Sequence, residues 1–174
     1  GQLLHHLGLH KPLLALHAHN EHEAAAAVLL RLERGESVAC VSDAGTPAVS
    51  DPGAVLVAAA AAAGHTVVPL PGPSSALAAL SVAGDAHRDG RTSGFIFVGF
   101  LPAKGGERRE MLATVLAERR TQVLFEAPHR IAALLAALAE GAPARTVTLC
   151  RELTKQFETI HTLPAQALPA WWPG

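Results

Sequence analysis

Aromatic side chains make up only 4% of the 174 residues, and tyrosine is absent. With hydrophobic residues at 49%, the core is therefore expected to consist mostly of Ala, Leu and Val. Long apolar runs are missing too. The longest, Ala54 to Ala63, is alanine-rich and well short of the roughly 20 residues that cross a bilayer, so no membrane span is expected. Cysteine is limited to Cys40 and Cys150, each inside an expected strand, where a buried free thiol is favoured over a disulfide. That points to a reducing, cytoplasmic setting. The chain opens at Gly1 without an initiator Met or a secretory leader, and reads as an internal or trimmed piece of a longer protein.

Several chemistries lack their signatures. No G-x-G-x-x-G follows a strand, no G-x-x-x-x-G-K-[ST] exists and no G-x-S-x-G elbow is present, which sets aside the common dinucleotide, P-loop and hydrolase readings. Ten histidines are present, but His5, His6, His17, His19 and His22 never combine with paired cysteines at ligand spacing, so no metal is expected. For His17 and His19, surface or helix-start roles come first, substrate contact second and metal ligation last. A net charge of −1 gives no general attraction to nucleic acid. The charge is uneven, however. Residues 1–103 carry five Lys/Arg against eight Asp/Glu and residues 104–174 nine against seven, with Lys104, Arg108 and Arg109 clustered beside Gly105 and Gly106.

The most informative stretch that is present runs from Ser42 to Gly53, after the apolar run Val38 to Val41 and before a helical Ala/Val segment. Gly45, Pro47, Pro52 and Gly53 fix its path, and Asp43, Thr46, Ser50 and Asp51 add short polar side chains. A second loop, Pro71 to Ser75, follows Thr66 to Leu70 and again precedes an Ala/Leu helix. Two such loops at strand C-termini form the ligand crevice of an open parallel sheet.

The remaining pattern alternates strand and helix. Asn20 and Glu23 form a capping pair for a helix that Gly35 stops; strands follow at Ser37 to Val41 and Thr66 to Leu70, with helices over 54–63 and 74–82. The segment between Gly84 and Gly94 is nearly devoid of apolar residues and is taken as a linker, giving an N-terminal domain 1–86 and a C-terminal domain 94–174. The second domain is expected to hold a strand Phe95 to Phe100, a helix from Glu107 to Arg119, a strand Gln122 to Phe125, a helix opened by Pro128, a strand Thr146 to Cys150 and an antiparallel strand Phe157 to His161.

The ordered segments Ser42 to Gly53, Pro71 to Ser75, Gly99 to Lys104, Glu126-Ala127-Pro128-His129-Arg130, Arg151 to Lys155 and Phe157 to Ile160 together resemble the tetrapyrrole-methylase superfamily. More narrowly, they are similar to its ribosomal RNA small subunit methyltransferase I branch, which methylates a cytidine ribose 2′-hydroxyl of 16S rRNA with S-adenosylmethionine. The resemblance implies a homodimer of chains with two α/β domains, a parallel sheet in the first and a mixed sheet in the second, and the donor bound in a cleft between them. Carried over residue by residue, Asp43, Ala44, Gly45, Thr46, Pro47 and Val49, with Gly72, Pro73, Ser74 and Ser75, line the donor from the first domain, and Phe100 and Leu101 meet it from the second. His129, Glu152 and Glu158 are candidates to accept or orient the hydroxyl proton, unranked among themselves. Lys104, Arg108, Arg109, Arg130, Arg151 and Lys155 are the substrate-side cations. The superfamily's first strand with its glycine loop is expected before residue 1, and its closing strand beyond residue 174.

Each of these residues also has a plainer role. Asp43, Asp51, Ser74 and Ser75 are natural helix and loop caps. His129 and Arg130 could sit on a solvated surface, Arg151, Glu152 and Lys155 could form an ion-pair network, and Lys104, Arg108 and Arg109 could be an ordinary helix face. At the level of function, methylation of ribosomal RNA leads, with methylation of a small tetrapyrrole and an inactive or interaction-only fragment as alternatives.

Overall fold

The computed structural model describes residues 2–84 and 94–172, so Gly1, the interior of the expected linker and the final Pro173 and Gly174 lie outside the described residues. The elements in chain order are α1 (Gln2–His6), α2 (Glu21–Glu33), α3 (Ala54–Ala62), α4 (Ser75–Ala83), β1 (Phe95–Phe100), α5 (Gly105–Ala117), β2 (Thr121–Phe125), α6 (Ile131–Gly141), β3 (Thr146–Arg151), β4 (Thr159–Pro164), a 3₁₀ turn Ala165–Ala167 and α7 (Leu168–Trp171). This is the expected α/β class. The chain divides into two compact units, Gly1–Pro73 and Ser74–Gly174, with α4 belonging to the second.

In the first unit α2 buries Ala24, Ala25 and Val28 on one stripe, and α3 offers Leu56 and Ala60. Small side chains on both helices leave little volume to fill, and Leu16, Leu32 and Ala59 complete the cluster. Asn20 occupies the N-cap position but makes no capping bond. Its carboxamide instead accepts from the His17 backbone N–H at 2.8 Å and donates to the Ala15 carbonyl at 3.0 Å, organising the preceding turn, so the expected capping pair with Glu23 is not formed.

Ser37 to Val41 and Thr66 to Leu70 form no ladder among the described residues. Their apolar side chains stay uncovered, with Val41 74% and Leu70 81% exposed, and Cys40 is exposed rather than buried. A β-branched run supplies only half of a strand. Its backbone groups need a paired neighbour and its side chains a covering layer, neither of which propensity provides. The parallel ladder lies in the second unit instead.

There β1 and β2 pair in parallel, joined through α5, while β3 and β4 form a separate antiparallel pair rather than one mixed sheet. The register of β1 on β2 shifts between Phe97 and Gly99, a bulge that Gly99 permits by adopting φ +71°. The core gathers Leu101, Val115, Leu134, Leu135, Leu138, Ala165 and Leu168. α6 contributes three of these at helical spacing. It starts at Ile131, later than Pro128, because residues 128–130 form a turn closed by bonds from the Arg130 and Ile131 N–H groups to the Ala127 carbonyl. β4 likewise starts at Thr159 rather than Phe157, since residues 152–158 are taken up by a compact loop with Glu152 and Thr154 at positive φ. At the far end His161 lies against Trp171, ring centroids 4.4 Å apart, and the Arg151 guanidinium sits 5.7 Å over the Trp172 ring.

Arg145, just before β3, closes the C-terminal end of α5. Its guanidinium donates to the carbonyls of Val115 at 2.9 Å, Leu116 at 3.1 Å and Glu118 at 2.7 Å, at a helix terminus where carbonyls lack intrahelical donors; Val115 also accepts from the Gln122 side chain at 2.8 Å. Replacing Arg145 with Met should lower unfolding free energy by about 2 kcal/mol in urea denaturation, the cost of losing the bonds to the Leu116 and Glu118 carbonyls. Beside it, hydrogen bonds from the Arg120 guanidinium and backbone hold the Glu118 carboxyl down to about 2 against an ordinary 4.5. A depressed carboxyl stabilises the fold above its unfolded pKa and ceases to do so as pH falls from about 4.5 toward 2. Acid titration of Glu118→Gln should lack that portion of the stability loss while retaining the rest.

Candidate functional site

The two loops singled out in the first unit are joined. Thr46 Oγ1 donates to the Pro73 carbonyl at 3.1 Å, across 27 residues of sequence. Gly45, at φ +75°, passes close enough that a Cβ there would stand 3.7 Å from the same oxygen. Within the long loop, the Ser42 hydroxyl lies 3.1 Å from the carbonyls of both Ala44 and Gly45. Asp43, Ala44, Gly45, Thr46 and Val49 are exposed and Pro47 is half-buried, with Gly72 and Pro73 exposed beside them. Among the described residues Asp43 and Asp51 make no capping bond, and α3 has Gly53 at its N-cap without a side-chain bond.

Gly53 is the fixed point of that loop. It is buried at φ +138°, a Cβ there would fall 3.3 Å from Ala48 Cβ, and Ala48 itself has φ +63°. Its N–H donates to the Glu21 carboxylate at 2.6 Å, tying the start of α3 to the start of α2. Ser74, in the second unit, caps α4 by accepting from the Leu77 N–H at 3.4 Å, while Ser75 is exposed at the first helical position.

In the second unit the C-terminal ends of β1 and β2 lie side by side, as parallel pairing requires. Phe100 is 53% exposed and leans edge-on against Phe125, ring centroids 5.5 Å apart; Phe97 meets Phe125 at 5.1 Å. Leu101 is only 2% exposed and sits in the core, so its side chain anchors the loop and only its main chain can face a ligand.

Glu126, the first residue after β2, has a side chain only 2% exposed. Its Oε2 accepts from Arg108 at 3.0 Å, and its Oε1 from Arg130 at 2.7 Å and from the Ala127 N–H at 3.0 Å. Arg108 also donates to the Pro102 carbonyl at 2.9 Å, and Arg130 Nε is buried without a partner. Both guanidiniums are thus bound inside the protein. In the sequence Glu126 is only the first residue of the Glu126-Ala127-Pro128-His129-Arg130 motif, with nothing local to assign it a role. The available signal was a carboxylate ending an apolar strand, with an Arg four residues on across a proline turn.

Lys104, Arg109 and His129 are exposed and make no hydrogen bond or ion pair among the described residues. On the β3–β4 loop, Glu158 accepts from the Thr154 N–H at 2.6 Å, and Glu152 pairs with Lys155 at 3.2 Å. Arg151 is held over Trp172. Among the described residues no group of three or more His, Cys, Asp or Glu gathers as a metal site, and no helix is long and apolar enough to cross a membrane.

Comparison with known proteins gives a consistent answer. The family model described as tetrapyrrole (corrin/porphyrin) methylases matches residues 6–169. A ribosomal RNA small subunit methyltransferase I from Xylella fastidiosa (strain Temecula1) is 53% identical over 161 residues, 91% of this chain and 57% of that protein. Proteins of the same name from Pseudomonas aeruginosa and Escherichia coli O157:H7 are 48% and 46% identical, covering 98% of this chain and 59% and 58% of their own lengths. The chain therefore spans less than two thirds of these relatives.

Gly53→Ala should destabilise the first unit by about 2 kcal/mol, since alanine must be forced into a conformation that strains L-residues. Urea unfolding of the variant against the unsubstituted chain checks this.

Proposed function

We propose that this chain, which belongs to the tetrapyrrole (corrin/porphyrin) methylase family, is part of an S-adenosylmethionine-dependent enzyme that methylates a cytidine ribose 2′-hydroxyl in the 16S RNA of the small ribosomal subunit. What carries the reading is the set of relatives named ribosomal RNA small subunit methyltransferase I, at 46–53% identity over 91–98% of the chain. Domains near 1–86 and 94–174, a homodimer, a cytoplasmic setting and chemistry without a metal belong to the same proposal.

The residues suit such a donor. It is a cation with a flat base and an amino-acid tail. Exposed carbonyls and the Asp43 carboxylate of the first unit suit its charge, and the half-exposed Phe100 ring offers a face for a base. When bound, the donor supplies an electrophilic methyl group on sulfur. The turns Asp43 to Val49 and Gly72 to Ser75 hold it, and Leu101 presents main chain only. The protein's work is to align the 2′-oxygen with the bond being broken and to exclude water.

A ribose hydroxyl must lose its proton as it attacks. Of the three groups considered, Glu158 is committed to the Thr154 N–H and Glu152 to Lys155, whereas His129 is exposed and unencumbered among the described residues. His129 is the acceptor in this reading. Lys104 and Arg109, with Arg151 and Lys155, face RNA phosphates; Arg108 and Arg130 act from behind, already bonded to Glu126.

A tetrapyrrole substrate is the second reading, favoured by the corrin and porphyrin chemistry that names the family. Incubating the chain with methyl-labelled donor and either small ribosomal subunits or porphyrinoid precursors separates the two. Label is expected in 16S RNA at a ribose. Label on the porphyrinoid and none on RNA would overturn the leading reading, and label on neither would favour a fragment inactive by itself.

A further inference from the structure

Among the described residues the other ion pairs are more open to solvent, Arg120 with Glu118 being 47% and 23% exposed. Arg31 with Glu36 and Lys155 with Glu152 all lie in water, where such pairs contribute little. The Glu126 group differs because its carboxylate is nearly sealed, with Arg108 and Arg130 themselves only 17% and 21% exposed. Two guanidiniums on one carboxylate leave a surplus positive charge in a half-dry place, and the Arg130 Nε–H is unpaired in addition. Well-packed apolar side chains would stabilise this spot at least as well. What the charged arrangement supplies is geometric definition.

The bonds show what is being defined. Through Oε2, Arg108 and the Pro102 carbonyl, Glu126 reaches the backbone directly after Phe100 and Leu101. Through Oε1, the Ala127 N–H and Arg130, it reaches the turn that carries His129. Phe125, its neighbour in sequence, supports the Phe100 ring. One carboxylate thus fixes both the aromatic ring and the histidine, each of which is itself exposed.

We propose that Glu126 is a positioning residue of the methyl-donor site, setting the Phe100–Leu101–Pro102 segment through Arg108 and the His129 turn through Arg130. The inference rests on the donor reading above. It assigns Arg108 to shaping the donor loop rather than to holding RNA.

Isothermal titration of S-adenosylmethionine into the unsubstituted chain, Glu126→Gln, Arg108→Lys and the double variant tests it, at a temperature where circular dichroism shows each folded. Each single change should raise the donor Kd about tenfold, the scale of one charge-assisted hydrogen bond. The double variant should be no weaker than the worse single, because both changes break one chain of bonds. Folded variants that bind the donor as the unsubstituted chain does, or losses that simply add, overturn the inference and leave the donor reading standing. If Glu126→Gln does not fold, Arg108→Lys carries the test, since it keeps the charge but cannot span both Glu126 and the Pro102 carbonyl. A folded unsubstituted chain that binds no donor overturns the reading of a donor site within this chain, and this inference with it.

Discussion

A carboxylate shut away from water must be matched, and the way Glu126 is matched organises the second unit. Its oxygens draw a helix residue, Arg108, a turn residue, Arg130, and a backbone N–H onto the end of β2. Removing the carboxylate would leave two guanidiniums facing each other with little access to solvent, which is why such groups tolerate little movement. The loops leaving β1 and β2 are therefore tied to one another as well as to their own strands. Arg145 does comparable work at the opposite end of α5 by accounting for three carbonyls.

The first unit relies on different means. It has few large side chains to interlock, so its form depends on backbone conformation and on single hydrogen bonds of long sequence separation. Glu21 to Gly53 spans 32 residues and Thr46 to Pro73 spans 27. Gly45 and Gly53 adopt positive φ in the long loop, which side-chain-bearing residues rarely do. The loops are shaped by what the chain leaves out as much as by what it contains.

Much of this was legible in the sequence, for identifiable reasons. β1 runs from Phe95 to Phe100 as expected, because a short aromatic and β-branched run bounded by Gly94 and Pro102 admits few alternatives. α3 and α4 follow from alanine-rich runs stopped by Gly64 and Gly84. Ser37 to Val41 and Thr66 to Leu70 read equally well as strands, yet pairing is a property of two segments and cannot be seen in one. The family was legible because several ordered loop motifs together are specific where each alone is weak. The part played by Glu126 was not, since burial and the identity of its partners depend on three segments converging.

The scarcity of aromatics has a practical side. With no tyrosine and only Trp171 and Trp172, the intrinsic fluorescence of this chain arises from a single corner, where one indole lies against the His161 imidazole and the other beneath the Arg151 guanidinium. Emission reports the hairpin of β3 and β4 and its terminal helix. The first unit, with its glycine-bearing loops, is optically silent in that signal, and observing it calls for an introduced chromophore or a nuclear-spin probe.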